Sequence, residues 1–262
     1  MAAPLEEPGG QGPGGLPPLP GIDAPARRPP RSGARREWQD ARVLEVRRET
    51  ARASTYRLGL PRWEPHVPGQ HYVVRLVAPD GYRAERSYSV ASPPSDEGVI
   101  ELTVERLADG EVSAYLHDGI APGDELTVRG PFGGWFVWRG DTPAVLVGGG
   151  SGVVPLMAMH RHWRATGRRA PLRMAVAARS PEELLYRSEY GDETLLAFSR
   201  AVPEGSPRPR GRLTAADLEP LLLPGATHYV CGSTPFAGHA EELLLGLGVP
   251  ADAIRVERFG GG

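Results

Sequence analysis

The sequence predicts a chain in two parts: a six-stranded antiparallel β-barrel, then a doubly wound parallel sheet with helices on both faces. Three observations carry this. From Glu37 to about Pro131 the apolar residues fall in six short runs rich in Val, Leu, Thr and Tyr, divided by turn signals such as "VPGQ", "PDGY" and "PPSDEG". From about Thr142 the period changes, and strand-like runs alternate with helical ones. Where the second pattern begins, "VLVGGGSGVVPL" takes a continuous apolar strand into glycines and then into a helix.

Taken in order, residues 1–36 are Pro, Gly and Arg with almost no large apolar side chain. They cannot bury enough surface to offset chain entropy, so a disordered tail is expected. Residues 37–140 hold the barrel strands "RVLEVRRET", "STYRLGL", "HYVVRLVA", "ERSYSVAS", "VIELTVERL" and "DELTVRGP", with one helix at "EVSAYLHDGI". Residues 141–262 hold the α/β part. Its first helix has Val153, Leu156, Met157, His160 and Trp163 at helical spacing, with Gly167 to close it. Further helices are expected at "PEELLYRSE", "TAADLEPLL" and "PFAGHAEELLLGLG", between the strands "PLRMAVAA", "ETLLAFSRA", "THYVCG" and "AIRVERF".

Length and composition bound the function. A chain of 262 residues suits two domains of roughly 100–130 residues. A net charge of −2 gives no reason to expect nucleic acid or an anionic membrane as partner. One cysteine, Cys231, excludes a disulfide within these residues and a cysteine-ligated zinc or iron–sulfur site. No apolar run of about 18 residues is present, so no membrane insertion is expected. The N-terminus has acids and prolines where a secretory signal needs a basic start and an apolar stretch, which predicts a cytoplasmic protein.

Two stretches carry chemistry. In the second part, Gly149, Gly150, Ser151 and Gly152 join strand to helix, with Pro155 in the first helical turn. Glycines let the backbone approach a ligand closely, and a helix N-terminus offers free N–H groups to a diphosphate. The order is neither the usual dinucleotide fingerprint, since proline stands where the third glycine would be, nor a Walker loop. In the first part, "RSYS" places Arg86, Tyr88 and Ser89 on one strand: a fork for phosphate, a face for a flat ring and a hydroxyl.

These motifs, in this order, resemble the ferredoxin–NADP reductase superfamily, in which a flavin-binding barrel precedes a nicotinamide-binding α/β domain. "GQHYVVRL", "RSYS", "LTVERLADGEVSAYLHD", "GDELTVRGPFGGWF", "GGGSGVVPLMAM" and "YVCGSTPF" match the family from Trp38 to Phe259. The resemblance implies FAD as cofactor and NADPH or NADH as electron donor. It implies that Tyr88 lies against the isoalloxazine, that Ser89 hydrogen-bonds near its N5, and that Arg86 pairs with the diphosphate. Leu102, Thr103 and Val104 line the cofactor strand, and Glu111, Val112 and Ser113 start a second phosphate-binding helix, with Ser113 expected to cap it near Ala114. Cys231 and Gly232 fall beside the nicotinamide, Ser89 and Cys231 being the residues nearest the hydride path. Phe259 is placed either over the flavin or at a domain edge. Arg179, Ser180 and Arg212 lie where relatives using NADPH hold the 2′-phosphate; an acid there would favour NADH.

The activity implied is that of a flavin-dependent reductase passing hydride from NAD(P)H to FAD and electrons onward. The single cysteine leaves no room here for a fused plant-type ferredoxin, so a separate acceptor is expected: a ferredoxin, an oxygenase or a molybdenum-cofactor oxidoreductase component. Two other classes share the motifs. A free-flavin reductase would retain flavin weakly and turn over added flavin, and a regulatory flavin-binding subunit would not oxidise NAD(P)H.

Overall fold

Alternation builds the first sheet. In a computed structural model, which describes residues 37–78 and 80–259, β1 (Gln39–Thr50) begins buried, exposed, buried, exposed, so that Ala41 and Val43 point to one side. β2 (Ala53–Gly59), β3 (His71–Val77), β4 (Arg83–Ser89), β5 (Val99–Glu105) and β6 (Glu125–Phe132) complete an antiparallel sheet in the order β4-β3-β6-β1-β2-β5. A bridge between Val90 and Leu102 brings the two edge strands together, giving the barrel that the six runs predict. α1 (Glu111–Gly119) plugs one end: Val112 and Leu116 join the barrel core, and the Tyr56 hydroxyl donates to the Leu116 carbonyl at 2.6 Å. The tail expected at residues 1–36 lies outside the described residues.

The second sheet is wholly parallel. β7 (Ala144–Gly149), β8 (Leu172–Ala178), β9 (Thr194–Phe198), β10 (Thr227–Ser233) and β11 (Ile254–Phe259) are ordered β11-β10-β7-β8-β9. The chain runs outward from β7 to β9 and then returns to β10, on the other side of β7. The strand order therefore reverses between β7 and β10, the place where open α/β sheets bind ligands. α2 (Val153–Ala165) covers one face, packing Leu156, Met157 and Met159 against Leu146 and Met174. α3 (Ala215–Leu218) and α4 (Thr234–Gly246) cover the other, against Val145, Val147 and Val230. Among the described residues no helix is long and apolar enough to cross a membrane.

One expected helix is absent. "PEELLYRSE" forms a single 3-10 turn at Pro181–Glu183 and then an irregular segment. Leu184, Leu185 and Tyr186 are buried in succession, which no single helix face can achieve, and Tyr186 has a φ of 55°. "TAADLEPLL" is likewise short, α3 giving way to a 3-10 turn at Glu219–Leu221 that contains Pro220.

The irregular segment ties the two parts together. The Tyr186 hydroxyl donates to Thr103 Oγ1 on β5 at 2.6 Å. Beside it, Arg161 on α2 reaches Glu101 Oε2 on β5 at 2.8 Å, the Ala91 carbonyl at 3.0 Å, and both oxygens of Glu189 at 2.5 and 2.8 Å. The side chains of Arg161 and Glu101 are only 13% and 12% exposed. Ala53, Ala91, Phe136 and Trp138 of the first part share a core with α2.

Three buried histidines make stability depend on pH. His66, His160 and His228 are all nearly inaccessible, and desolvation holds each below the ordinary imidazole value of 6.5, against the pull of the Ser92 carbonyl on His66 and of Glu193 on His160. The folded state binds fewer protons than the unfolded one, so this stability is present above 6.5 and drains away as pH falls below it. Half-buried Glu257, raised to about 7 by desolvation, acts in the opposite sense but is one group against three. Denaturant midpoints are expected to drop between pH 7 and pH 5.5; an unchanged or rising midpoint contradicts this account.

Candidate functional site

The two sheets enclose a cleft of about 1460 Å³ between them. That exceeds the usual range for one small ligand, roughly 300–1,000 Å³, and suits two nucleotides. From the barrel, Arg86, Tyr88, Ser89 and Thr103 face it. Arg86 is exposed, with one guanidinium nitrogen on its neighbour's carbonyl, Glu85 O, at 2.8 Å. Tyr88 is half-buried and its phenol is pushed up to about 12 by desolvation, so it stays protonated. Ser89 is 7% exposed. Leu102 and Val104 alternate with Thr103 and point into the barrel core, so only the central residue of the three presents its side chain to the cleft.

At the α1 end of the cleft the helix start is built differently from expectation. The helix starts at Glu111 with Gly110 as its N-cap, and Ser113 lies in the first turn, not at the cap. Its hydroxyl donates to the Gly110 carbonyl at 3.1 Å and accepts from the Leu107 amide at 3.2 Å, folding the preceding loop onto the helix. A Cβ on Gly110 would sit 2.3 Å from that oxygen. The first intrahelical bond comes from Ala114, which leaves the amides of Glu111, Val112 and Ser113 without helical partners. Gly110, Val112 and Ser113 border the cleft, whereas the Glu111 side chain is exposed and does not.

The opposite wall is the reversal point of the second sheet. Gly149, Gly150 and Ser151 face the cleft, Gly150 at φ 57° with open space around it. Gly152 and Pro155 are buried behind them. A Cβ on Gly152 would lie 2.3 Å from the Cys231 carbonyl, so glycine is what lets the start of α2 approach β10. Gly232 is similarly crowded, by the Phe236 ring.

Cys231 is fully buried in the core and does not border the cleft. Burial, aided by Glu257 beside it on β11, pushes its thiol well above the usual range. Glu257 has one carboxylate oxygen shielded and without a hydrogen-bond partner among the described residues. Phe259 is half-buried, packs on the shared core and borders the cleft. Arg179 and Arg212 are exposed at the far end, while Ser180 caps the 3-10 turn without bordering it.

Sequence reasoning passed over several cleft residues. Ser233, Pro235, Phe236 and His239 bring the N-terminus of α4 to the same opening as α2. "STP" at a helix start was the available signal. Glu182 and Glu183 also border the cleft, the latter 3.5 Å from Arg179. They were masked by the helix expected there.

The residues present fit FAD. The barrel wall supplies an aromatic face, a buried hydroxyl, an arginine and a helix start whose first amides have no helical partner, and the wall opposite is a glycine turn that a diphosphate could approach closely.

Comparison with known proteins agrees. Residues 40–137 match the family described as oxidoreductase FAD-binding domain. The chain is 30% identical over 239 residues to the reductase component of propane 2-monooxygenase from Rhodococcus jostii, covering 84% of this chain and 64% of that protein. It is 34% identical over 209 residues to the glycine betaine monooxygenase reductase subunit of Chromohalobacter salexigens, covering 74% and 56%. It thus spans less than two thirds of the length of either relative. The fold is shared with the FAD/NAD-binding domain of nitric oxide dioxygenase from Vibrio cholerae, at a TM-score of 0.75 and 24% identity over 85% of this chain and 98% of that one. An Amycolatopsis cytochrome P450 reductase gives a TM-score of 0.72 at 26% identity, covering 86% and 71%. In motif order, domain order and sheet topology the chain resembles the ferredoxin–NADP reductase superfamily.

Proposed function

We propose that the chain is a flavin-dependent NAD(P)H reductase that delivers electrons to a separate acceptor protein, a ferredoxin or an oxygenase component. One observation carries the reading: the start of α1, the glycine turn after β7, Tyr88 and Ser89 all line the same cleft. Residues 37–140 are assigned to FAD and residues 141–262 to the nicotinamide nucleotide. Bound FAD supplies acceptance of a hydride and onward release of single electrons. The chain's own residues bind and orient. Arg86 and the amides of Glu111, Val112 and Ser113 would hold the diphosphate, and Tyr88 would offer its ring face to the isoalloxazine. Ser89 would donate its hydroxyl to the ring edge, and Phe259 would screen the opposite side from water. Cys231, sealed in the core, is read as packing and not as a group that touches the reacting atoms. The relatives' printed names, reductase components of monooxygenases, support the acceptor class. The reading places the protein in the cytoplasm, where reduced nicotinamide nucleotides are held.

The purified protein is expected to be yellow, with about one FAD released per chain, and to bleach when NADPH or NADH is added without oxygen. A colourless protein that cannot be reconstituted, a released flavin that is FMN, or flavin that stays oxidised with both nucleotides would each reject the reading.

Arg179 and Arg212 favour NADPH, and Glu183 beside Arg179 opposes them. A 2′-phosphate carries close to two charges, and an arginine contact to it is worth about 1.5–3 kcal/mol. Arg179→Ala is expected to weaken NADPH use roughly tenfold and leave NADH within about twofold, while Glu183→Gln shifts preference towards NADPH. Steady-state kinetics with both nucleotides decide it; equal losses for both on Arg179→Ala sink the assignment.

A further inference from the structure

A line of hydrogen-bonded hydroxyl groups ends at the cleft wall. Glu49 on β1, Thr55 on β2 and Thr103 on β5 lie on adjacent strands, with Thr55 directly opposite Thr103. Thr55 Oγ1 donates to Glu49 Oε1 at 2.7 Å and lies 2.7 Å from Thr103 Oγ1. The Tyr186 hydroxyl closes the line on Thr103 at 2.6 Å. Thr55, Thr103 and Tyr186 are buried, and the Glu49 side chain is 10% exposed. Of the four residues, only Thr103 borders the cleft.

Counting hydrogens fixes the sense of the line. Each hydroxyl has one to give and a carboxylate has none. Glu49 Oε1 also receives Arg47 Nε at 2.9 Å, so it accepts in both contacts. Thr55 spends its hydrogen on Glu49, and Thr103 therefore gives its own to Thr55. Tyr186 in turn gives its hydrogen to Thr103, and desolvation, which pushes the phenol well above its ordinary value, keeps that hydrogen in place. Thr103 has no hydrogen left, so toward a ligand in the cleft it offers only a lone pair.

The arrangement resists reversal. Turning the Thr103 hydrogen into the cleft would break its bond to Thr55 inside a buried wall. The Tyr186 end is held as well: its backbone sits at a φ of 55°, costly for a residue with a side chain, and the Arg161 guanidinium lies over its ring at 5.0 Å.

We propose that Glu49 and Thr55, neither of which borders the cleft, are positioning residues that hold Thr103 as a hydrogen-bond acceptor toward an N–H of bound flavin. The inference rests on the reductase reading above and adds which residues set the polarity of that wall. Reduction adds N–H to the isoalloxazine, so an acceptor favours the reduced form and a donor in its place favours the oxidised one.

The test is the midpoint potential of the bound flavin. Thr55→Val keeps the shape of the side chain and frees the Thr103 hydrogen to point into the cleft. It is expected to weaken reduction at least fivefold, about 20 mV more negative for a two-electron couple, while Thr55→Ser stays within about twofold of the unmodified protein. Thr103→Val should shift the potential the same way, and the double variant no further than Thr103→Val alone, because Thr55 acts through Thr103. If Thr55→Val does not fold, Glu49→Leu and Glu49→Gln carry the same test. Leu removes the acceptor and should lower the potential, although loss of a negative charge alone would raise it; Gln keeps a carbonyl oxygen for Thr55 and should not lower it. A potential that is not lowered in Thr55→Val, or in Glu49→Leu where that pair is used, would overturn the inference. So would equal shifts in Thr55→Ser and Thr55→Val, or additive shifts in the double variant. An unmodified protein that takes up no flavin fails the reductase reading itself, and this inference with it.

Discussion

Everything the cleft can do depends on how the barrel is held against the α/β sheet, and Arg161 is the centre of that contact. It projects from α2, takes Glu189 from its own domain with two hydrogen bonds and Glu101 from the barrel with one. Burying such a cluster costs desolvation, so it is poor evidence of net stability, but breaking it by removing one partner leaves a charge stranded, at about 3–5 kcal/mol. Its value is geometric. A fork that must satisfy two carboxylates on two domains, together with the Ala91 carbonyl, admits one arrangement of the pair. The Tyr186 hydroxyl on Thr103 adds a second fixed point, and that threonine borders the cleft.

The cleft inherits its chemistry from two backbone features so aligned. On the barrel side a helix begins with three amides that have no helical partner among the described residues. On the sheet side the strand order reverses at β7 and β10, and glycines occupy both strand ends. Phe236 shows why glycine is needed there: its ring lies 2.6 Å from where a Cβ of Gly149 would be and 2.5 Å from one on Gly232. An aromatic ring is thus laid across two bare backbones at this wall of the cleft, packing that a side chain at either position would block.

Much of this was legible in the sequence, for identifiable reasons. β1 opens with alternating buried and exposed residues, and helix α2 repeats its large apolar residues at helical spacing, so both are legible from local pattern. The glycine turn and "RSYS" were visible because each sets a distinctive run of residue types at a strand end, and both runs line the cleft. What escaped was set by tertiary contacts. "PEELLYRSE" has strong local helix formers, yet Tyr186 gains more by reaching Thr103 than a helix would return. Ser113 looks like an N-cap from its position before Ala114, but Gly110 takes that place because the loop closes on the serine from inside the first turn. The burial of Cys231 depends on β11 and Phe259 packing from elsewhere in the chain, which no local pattern reports.

The most direct test of this account is the rate of flavin reduction when the interdomain contact is weakened. In a single-turnover experiment without oxygen, Arg161→Met should retain its flavin, since no cofactor-facing group has changed. Reduction by NAD(P)H should slow at least tenfold, because a shift of about 1 Å between reacting groups is enough to cost that much or more. Arg161→Lys, which keeps the charge but loses the fork, should fall between. A folded Arg161→Met variant that is reduced at the unmodified rate would contradict the claim that this contact sets the alignment of the two halves.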